Sequence, residues 1–297
     1  MITIRTAETD ADLEAWRQVR MAVVPNERAA SVEEMRRASA TDHLLLLAEL
    51  DGELAGAGIA GKSDLADSGF VAPRVLERAR RRGVGTALLG PLAEHVLALG
   101  FTQVGANVDD PGSRAFAERF GFREINRQIE QIRVVLDEEQ EPDVPPGVEI
   151  VRVADQPDLW TTAYDTVGAQ AFVDMALDRP VVATPEEWHN EWLTHPEAAF
   201  LAVAGGEVIG CAGLQPDVDF PERAEHALTA VRRDWRRRGV ATALKRTTLV
   251  WAAANGIREV YTWTQTGNDE MRRVNERLGF ITRTESISMR ASLPLPL

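Results

Sequence analysis

Cysteine occurs once among the 297 residues, at Cys211, so no disulfide can form within the chain and a cysteine-built redox or metal framework is excluded. In the apolar run VIGCAG, with no histidine in a motif around it, Cys211 reads as a small core residue rather than a nucleophile. No apolar run is long enough to span a bilayer, and MITIRTAETDADLEAW is charged from Arg5 onward with no apolar leader core. The expectation is therefore a cytoplasmic protein without a membrane segment. Positive charge is in deficit: 33 Lys and Arg stand against 46 Asp and Glu, giving a net charge of −13, which argues against nucleic acid or an anionic membrane as partner. Lysine is nearly absent, with only Lys62 and Lys245. The histidines show no metal-ligand spacing, so no metal is expected.

What the chain does contain is a stretch that occurs twice. Residues 236–245 read RRRGVATALK and residues 80–89 read RRRGVGTALL. Each follows a strand-like run, AEHALTAV at 224–231 and the less regular FVAPRVL at 70–76, and each leads into helical spacing. Strand, glycine turn and helix start make an anion cradle. Small residues leave the backbone N–H groups uncovered, and the free amides and dipole of the helix point at the same spot. A pyrophosphate suits such a place. Gly90 and Pro91 interrupt the first helical pattern and predict a kink there.

The stretch belongs to a larger repeat of roughly 150 residues. EIVRVADQPDLW at 149–160 answers ITIRTAETDADLEAW, and TPEEW at 184–188 answers SVEEM at 31–35. In the latter pair, Ser31 with Glu34 and Thr184 with Glu187 have capping-box spacing. AFLAVAGGEVIGCAGL at 199–214 answers LLLLAELDGELAGAGI at 44–59, each a hairpin turning at GG or DG. NDEMRRVNERLGF at 268–280 answers DPGSRAFAERFGF at 110–122. Between the copies, DEEQEPDVPPG at 137–147 is acidic, proline-rich and aperiodic, a linker. The expected organisation is a first domain over 1–136, a linker over 137–147 and a second domain over 148–297.

The loop pattern of Arg, two residues, Gly, one residue, Gly or Ala resembles the acetyl-CoA loop of the GNAT superfamily of N-acetyltransferases, and the closing helix ending in Gly-Phe resembles that superfamily's fourth helix. The tandem arrangement is similar to that of mycothiol synthase. The resemblance implies an α/β (α+β) fold of two GNAT-like domains, each a mixed, mostly antiparallel sheet splayed between its central strands and flanked by helices. It implies acetyl-CoA as cosubstrate and acetyl transfer to an amine, here a small-molecule amine. By resemblance, the cofactor-binding positions are Arg236, Arg237, Arg238, Gly239, Val240, Ala241 and Thr242, with Asn268 on the pantetheine arm. Val231 supplies a backbone amide for the thioester carbonyl. In the first copy the matching positions are Val75, Arg80, Gly83, Gly85 and Thr86, and Asp110 replaces the asparagine.

An alkylammonium acceptor must lose a proton before its nitrogen attacks a thioester, so a carboxylate near the cleft is needed. Glu225 stands where one branch of the family carries its base, and His226 falls on the opposite face of the strand. Two readings remain open at this stage: Glu225 on the strand as base, or Glu225 in a solvated loop with the strand starting at Ala227. The first copy has Gly69 and Val71 at the corresponding spacings and no base. The family's fourth-helix tyrosine is replaced by Asn275 and Ala117, and Asn275 can donate a hydrogen bond but cannot act as an acid. Tyr261 reads as packing. Trp160, Tyr164, Phe172, Trp188, His189, Trp192 and His195 form an aromatic group that either lines the acceptor pocket or fills the core. The catalytic domain is thus expected to be the second, with the first degenerate. A non-catalytic acyl-CoA-binding module is the alternative, and monomer and homodimer are both open.

Overall fold

The computed structural model describes residues 1–39, 42–65, 67–175, 181–188, 192 and 195–297. In chain order the first half runs β1 (Ile2–Thr6), α1 (Asp10–Val23), α2 (Val32–Ser39), β2 (Leu44–Leu50), β3 (Glu53–Lys62), β4 (Gly69–Val75), α3 (Val84–Ala98), β5 (Gln103–Val108), α4 (Pro111–Arg119) and β6 (Arg123–Val134). The second half runs β7 (Glu149–Arg152), α5 (Pro157–Ala163), α6 (Ala169–Asp174), the single turn α7 (Pro185–Glu187), β8 (Ala199–Ala204), β9 (Glu207–Pro216), β10 (Arg223–Val231), α8 (Val240–Ala254), β11 (Glu259–Gln265), α9 (Asp269–Arg277) and β12 (Ile281–Ser292).

Local chemistry accounts for the boundaries. Ser31 and Glu34 exchange capping hydrogen bonds at 3.2 and 2.7 Å, and Thr184 and Glu187 do so at 3.1 and 2.7 Å. The hairpins turn at Asp51-Gly52 (φ 56° and 86°) and Gly205-Gly206 (φ 59° and 84°), the left-handed pair that a tight two-residue turn needs. Helix α3 runs unbroken through Pro91.

The chain forms two compact units, Met1–Arg127 with Ser286–Leu297, and Gln128–Glu285. In the first, the strands lie in the order β1-β2-β3-β4-β5-β12; in the second, β7-β8-β9-β10-β11-β6. All neighbours are antiparallel except β4 with β5 and β10 with β11. Those parallel pairs are short, Gly69–Val104 and Phe70–Gly105 in the first unit, and Arg223–Glu259 to Glu225–Tyr261 in the second. Past them each sheet is splayed.

The strand that finishes each sheet comes from the other repeat. Ile287 to Ser292 of β12 pair with Val108 to Gln103 of β5, while Gln128 to Val134 of β6 pair with Gln265 to Glu259 of β11. The units therefore do not divide the chain at the 137–147 segment.

In the first unit, Val84, Leu88, Leu92 and Val96 of α3 pack on one face of the sheet, and Leu13, Trp16 and Val19 of α1 pack on the other. In the second, Val240 and Leu244 of α8 cover one face, and the other carries the aromatic group around Trp188.

Candidate active site

In both repeats the chain leaves the central strand through one helical turn and enters the next helix with the same pair of left-handed residues. These are Arg237 (φ 60°) and Gly239 (φ 87°) before α8, and Arg81 (φ 63°) and Gly83 (φ 90°) before α3. No side chain caps either helix, so the first-turn amides stay open to a ligand. Val240 turns its side chain into the core, while Ala241 and Thr242 are half-buried at the first turn, as is Thr86 in the first repeat. Arg236 Nε donates to Val231 O at 2.9 Å, and Arg80 Nε to Val75 O at 3.2 Å, tying each loop to the end of its strand. Arg238 lies over the Trp235 ring at 4.9 Å. A Cβ on Gly239 would have only Pro145 nearby, at 3.7 Å, so the cradle is open and glycine is required by its φ alone. These features fit the phosphates of a coenzyme A thioester. Asp174, at the end of α6, pairs with Arg233 and Arg236, and these arginines hold its carboxyl down at about 2.

Glu225 lies within β10, which begins at Arg223, and not in a loop. It is the last residue of β10 paired with β11, at the mouth of the splay. The ladder with β9 skips Ala227: His226 pairs with Leu214 and Leu228 with Gly213, a β-bulge. Beyond it, Arg232 N–H donates to Ile209 O at 2.9 Å, so alternation turns the Val231 N–H to the open side of β10. In the first unit β4 has no such bulge, since Gly69 to Val75 pair with Lys62 to Gly56 without a skip. This corrects the spacing argument for the first copy. The register puts Phe70, rather than Gly69 or Val71, in the place of Glu225.

Tyr261, expected as packing, donates from its hydroxyl to Glu225 Oε2 at 3.3 Å while its ring is buried. Arg223 lies over that ring at 5.2 Å and bonds Glu259 Oε1 at 3.1 Å. Arg283 bridges Glu259 at 3.0 Å to the fully buried Glu130. Glu130, Arg283, Glu259 and Arg223 thus alternate in sign across β6, β12, β11 and β10, and the line ends on the Tyr261 ring whose hydroxyl meets Glu225.

The helix-side face of the second unit holds a buried polar seam. Asn275 Nδ2 donates to Gln131 Oε1 at 2.9 Å and to Thr264 Oγ1 at 3.3 Å. Asn275 Oδ1 and Gln131 Nε2 are buried with no hydrogen-bond partner among the described residues. Thr262 Oγ1 donates to His226 O at 3.1 Å, and His226 Nε2 lies 3.3 Å from Thr248 Oγ1. Lys245 is 2% exposed with Nζ 5.4 Å from the Phe280 ring centre, and burial pushes its ammonium down to about 7. Burial, and then the Lys245 charge, hold His226 neutral, well below the usual histidine range.

By register and spacing, the first unit has Met289, Ala117, Val108, Ala106, Val71, Leu92 and Leu89 at the positions of Gln131, Asn275, Thr264, Thr262, His226, Thr248 and Lys245. One copy of the fold has an apolar core where the other has seven polar groups.

The first repeat differs at the cradle as well. Phe116 of α4 stands where α9 has Val274, and a Cβ on Gly85 would meet its ring at 3.3 Å. Asp110 caps α4 through Gly112 N and Ser113 N at 2.8 and 3.0 Å, as Asn268 caps α9 through Met271 N at 3.3 Å.

Trp160, Phe172 and Trp188 are buried core, and Tyr164 and Trp192 pack half-buried at its edge. Trp160 and Trp188 stack at 4.2 Å, Phe172 meets Trp188 at 5.7 Å and Trp192 at 4.6 Å, and Tyr164 bonds Ala183 O at 2.7 Å. His189 lies outside the described residues, and His195 precedes the turn at Pro196–Ala198. Cys211 is fully buried, its thiol pushed up to about 12 by burial. Among the described residues no His, Cys, Asp and Glu cluster could hold a metal, and no helix is long and apolar enough to cross a membrane.

The profile of the acetyltransferase (GNAT) family matches residues 6–122 and again 168–280. No curated protein matches the chain. Among solved structures, a GCN5-related N-acetyltransferase from Sphaerobacter thermophilus aligns at TM-score 0.75 with 22% identity, covering 98% of this chain and 95% of that one. A tandem GNAT protein from the clavulanic acid biosynthesis pathway aligns at TM-score 0.75 with 20% identity over 98% of both chains. A glucosamine N-acetyltransferase region of a fungal multi-domain β-N-acetylglucosaminidase aligns at 0.70 with 14% identity, covering 97% of this chain and 38% of that one. With two profile matches in one chain and a splayed sheet with its cradle in each unit, this protein belongs to the acetyltransferase (GNAT) family, in its tandem form.

Proposed function

We propose that the unit spanning residues 128–285 transfers an acetyl group from acetyl-CoA to a primary amine of a small molecule, with both bound at once and Glu225 as the base. The observation that carries this reading is the position of Glu225: on the strand, at the point where β10 and β11 part, with Tyr261 holding its carboxylate. Acetyl-CoA supplies an activated acyl carbon and a thiolate leaving group. Glu225 takes the proton from the acceptor ammonium, directly or through one water, and leaves a neutral nitrogen to attack. The Val231 N–H faces the open side of β10 and is suited to polarise a carbonyl there. Gly239, Ala241 and Thr242 present amides for the phosphates, and Arg237 and Arg238 flank them.

In the first repeat, Phe70 removes the base, Phe116 crowds the cradle and Asp110 adds negative charge. We read it as non-catalytic. That one structural relative is described as a glucosamine N-acetyltransferase makes amino sugars a first group of acceptors to screen.

Glu225→Gln is expected to lower turnover at neutral pH by about 10²–10⁴-fold, judged by release of free CoA thiol, with little change in acetyl-CoA affinity. An unchanged pH–rate profile would remove Glu225 from the chemistry. Calorimetric titration with acetyl-CoA is expected to give one equivalent, abolished by Gly239→Asp and not by Gly83→Asp.

The Asn275 amide donor is spent on Gln131 and Thr264, and this observation favours a second reading, a non-catalytic acyl-CoA-binding module. Tight acetyl-CoA binding with no turnover on a broad amine panel would establish that reading instead.

A further inference from the structure

Arg74, on β4 of the first unit, is a cation without a counter-ion. It makes no ion pair or hydrogen bond among the described residues, and its Nη1 is sealed from solvent with no partner. Its register partner on β3 is Ala57, so it projects to the α1 side of the sheet. There the guanidinium lies over the Trp16 ring at 5.3 Å, and Trp16 itself is fixed by an Nε1 bond to Gly58 O at 2.8 Å. Arg20, one turn further along α1, is already matched by Glu27 at 2.7 Å. Burial pushes Arg74 down to about 9, the Arg20 charge acts in the same sense, and Glu27 acts against it.

An unpaired guanidinium at such a place is costly, and stacking on one indole face returns only part of that cost. The fold does not require it, since the equivalent position in the second unit, paired with Cys211, is Ala230. Arg74 is half-buried as a residue, and Nη1 is its one sealed and unpartnered guanidinium nitrogen among the described residues, which leaves the Nε–Nη2 edge of the fork to a ligand.

We propose that Arg74 and Trp16 form an anion-binding site in the first unit for a small molecule bearing a single carboxylate. The guanidinium fork takes two carboxylate oxygens side by side. One uncompensated positive charge calls for one negative charge. Glu27 close by, and Asp109 near it, disfavour a dianion such as phosphate. The site gives the repeat that lacks a base a ligand of its own, whether or not the second unit is a transferase.

The test uses the full chain, with sodium benzoate as probe and sodium chloride at matched ionic strength as control. Thermal unfolding reports binding, and hydrogen exchange of α1 and β4 reports its place. Benzoate is expected to raise Tm dose-dependently and to slow exchange over residues 13–23 and 69–75, while Arg74→Met loses both effects and keeps or raises the chloride Tm. Arg74→Lys, with the charge and no fork, is expected to retain less than half the Tm shift. Benzoate effects equal in wild type and Arg74→Met, or absent from both, would overturn the site. A chloride Tm that falls in Arg74→Met and recovers in Arg74→Lys would make Arg74 a structural cation instead. A shift given by inorganic phosphate and not benzoate, lost in Arg74→Met, would refute the carboxylate assignment.

Discussion

At the scale of single residues, the buried groups of the second unit give the sharpest expectations. Lys245 has a folded pKa of about 7 against 10.5 when free, so between those values the unfolded chain binds more protons than the folded one. Stability therefore rises with pH across that window, and below it the full penalty of a buried ammonium is present. Phe280 faces the amine, and His226, whose Nε2 lies against Thr248 Oγ1, feels its charge and stays neutral. Lys245→Leu, which installs the residue of the first repeat, is expected to stabilise the protein at pH 7 and to remove the rise. Urea unfolding at pH 7 and pH 10 checks both. Cys211, with its thiol near 12, should resist iodoacetamide at pH 8 in the native protein and react only in denaturant, followed by mass shift. Of the proposed site, the place of Glu225 on its strand and the Gly239 turn are legible in the sequence, because each sits at a fixed spacing along one strand and loop. Tyr261 was not, because its tie to Glu225 depends on the pairing of two strands far apart in sequence.

At the scale of elements, the capping boxes and hairpin turns could be read directly, since their chemistry is local. The bulge at Ala227 could not. A skipped residue leaves the apolar alternation of β10 intact, and only the ladder with β9 shows it. The aromatic group was ambiguous for a related reason: spacing says which residues share a helix face, but not whether that face meets a ligand or another ring. Packing decides it at Gly168, where an added Cβ would come within 2.8 Å of the buried Trp188 ring. Gly168→Ala is expected to cost about 1–3 kcal/mol and to weaken the near-UV circular dichroism of the stacked tryptophans.

At the scale of the whole molecule, the repeat was plain in the sequence and the exchange of closing strands was not. The strands β6 and β12 end equivalent repeats and carry similar patterns, so nothing local distinguishes a strand that folds back from one that crosses. Deleting residues 286–297 is expected to speed amide exchange in β5 and α3, because β5 loses its partner, and to leave β10 and β11 protected. Loss of protection in β11 instead would mean that each repeat closes its own sheet.

The exchange also bears on inheritance. Glu130 and Gln131, which stand beside β11 in the second unit, belong to the strand that ends the first repeat. A lineage that discarded its first repeat would discard the strand that finishes the second unit's sheet. Neither repeat can be lost without leaving the other's sheet one strand short, so the two copies are bound to descend together.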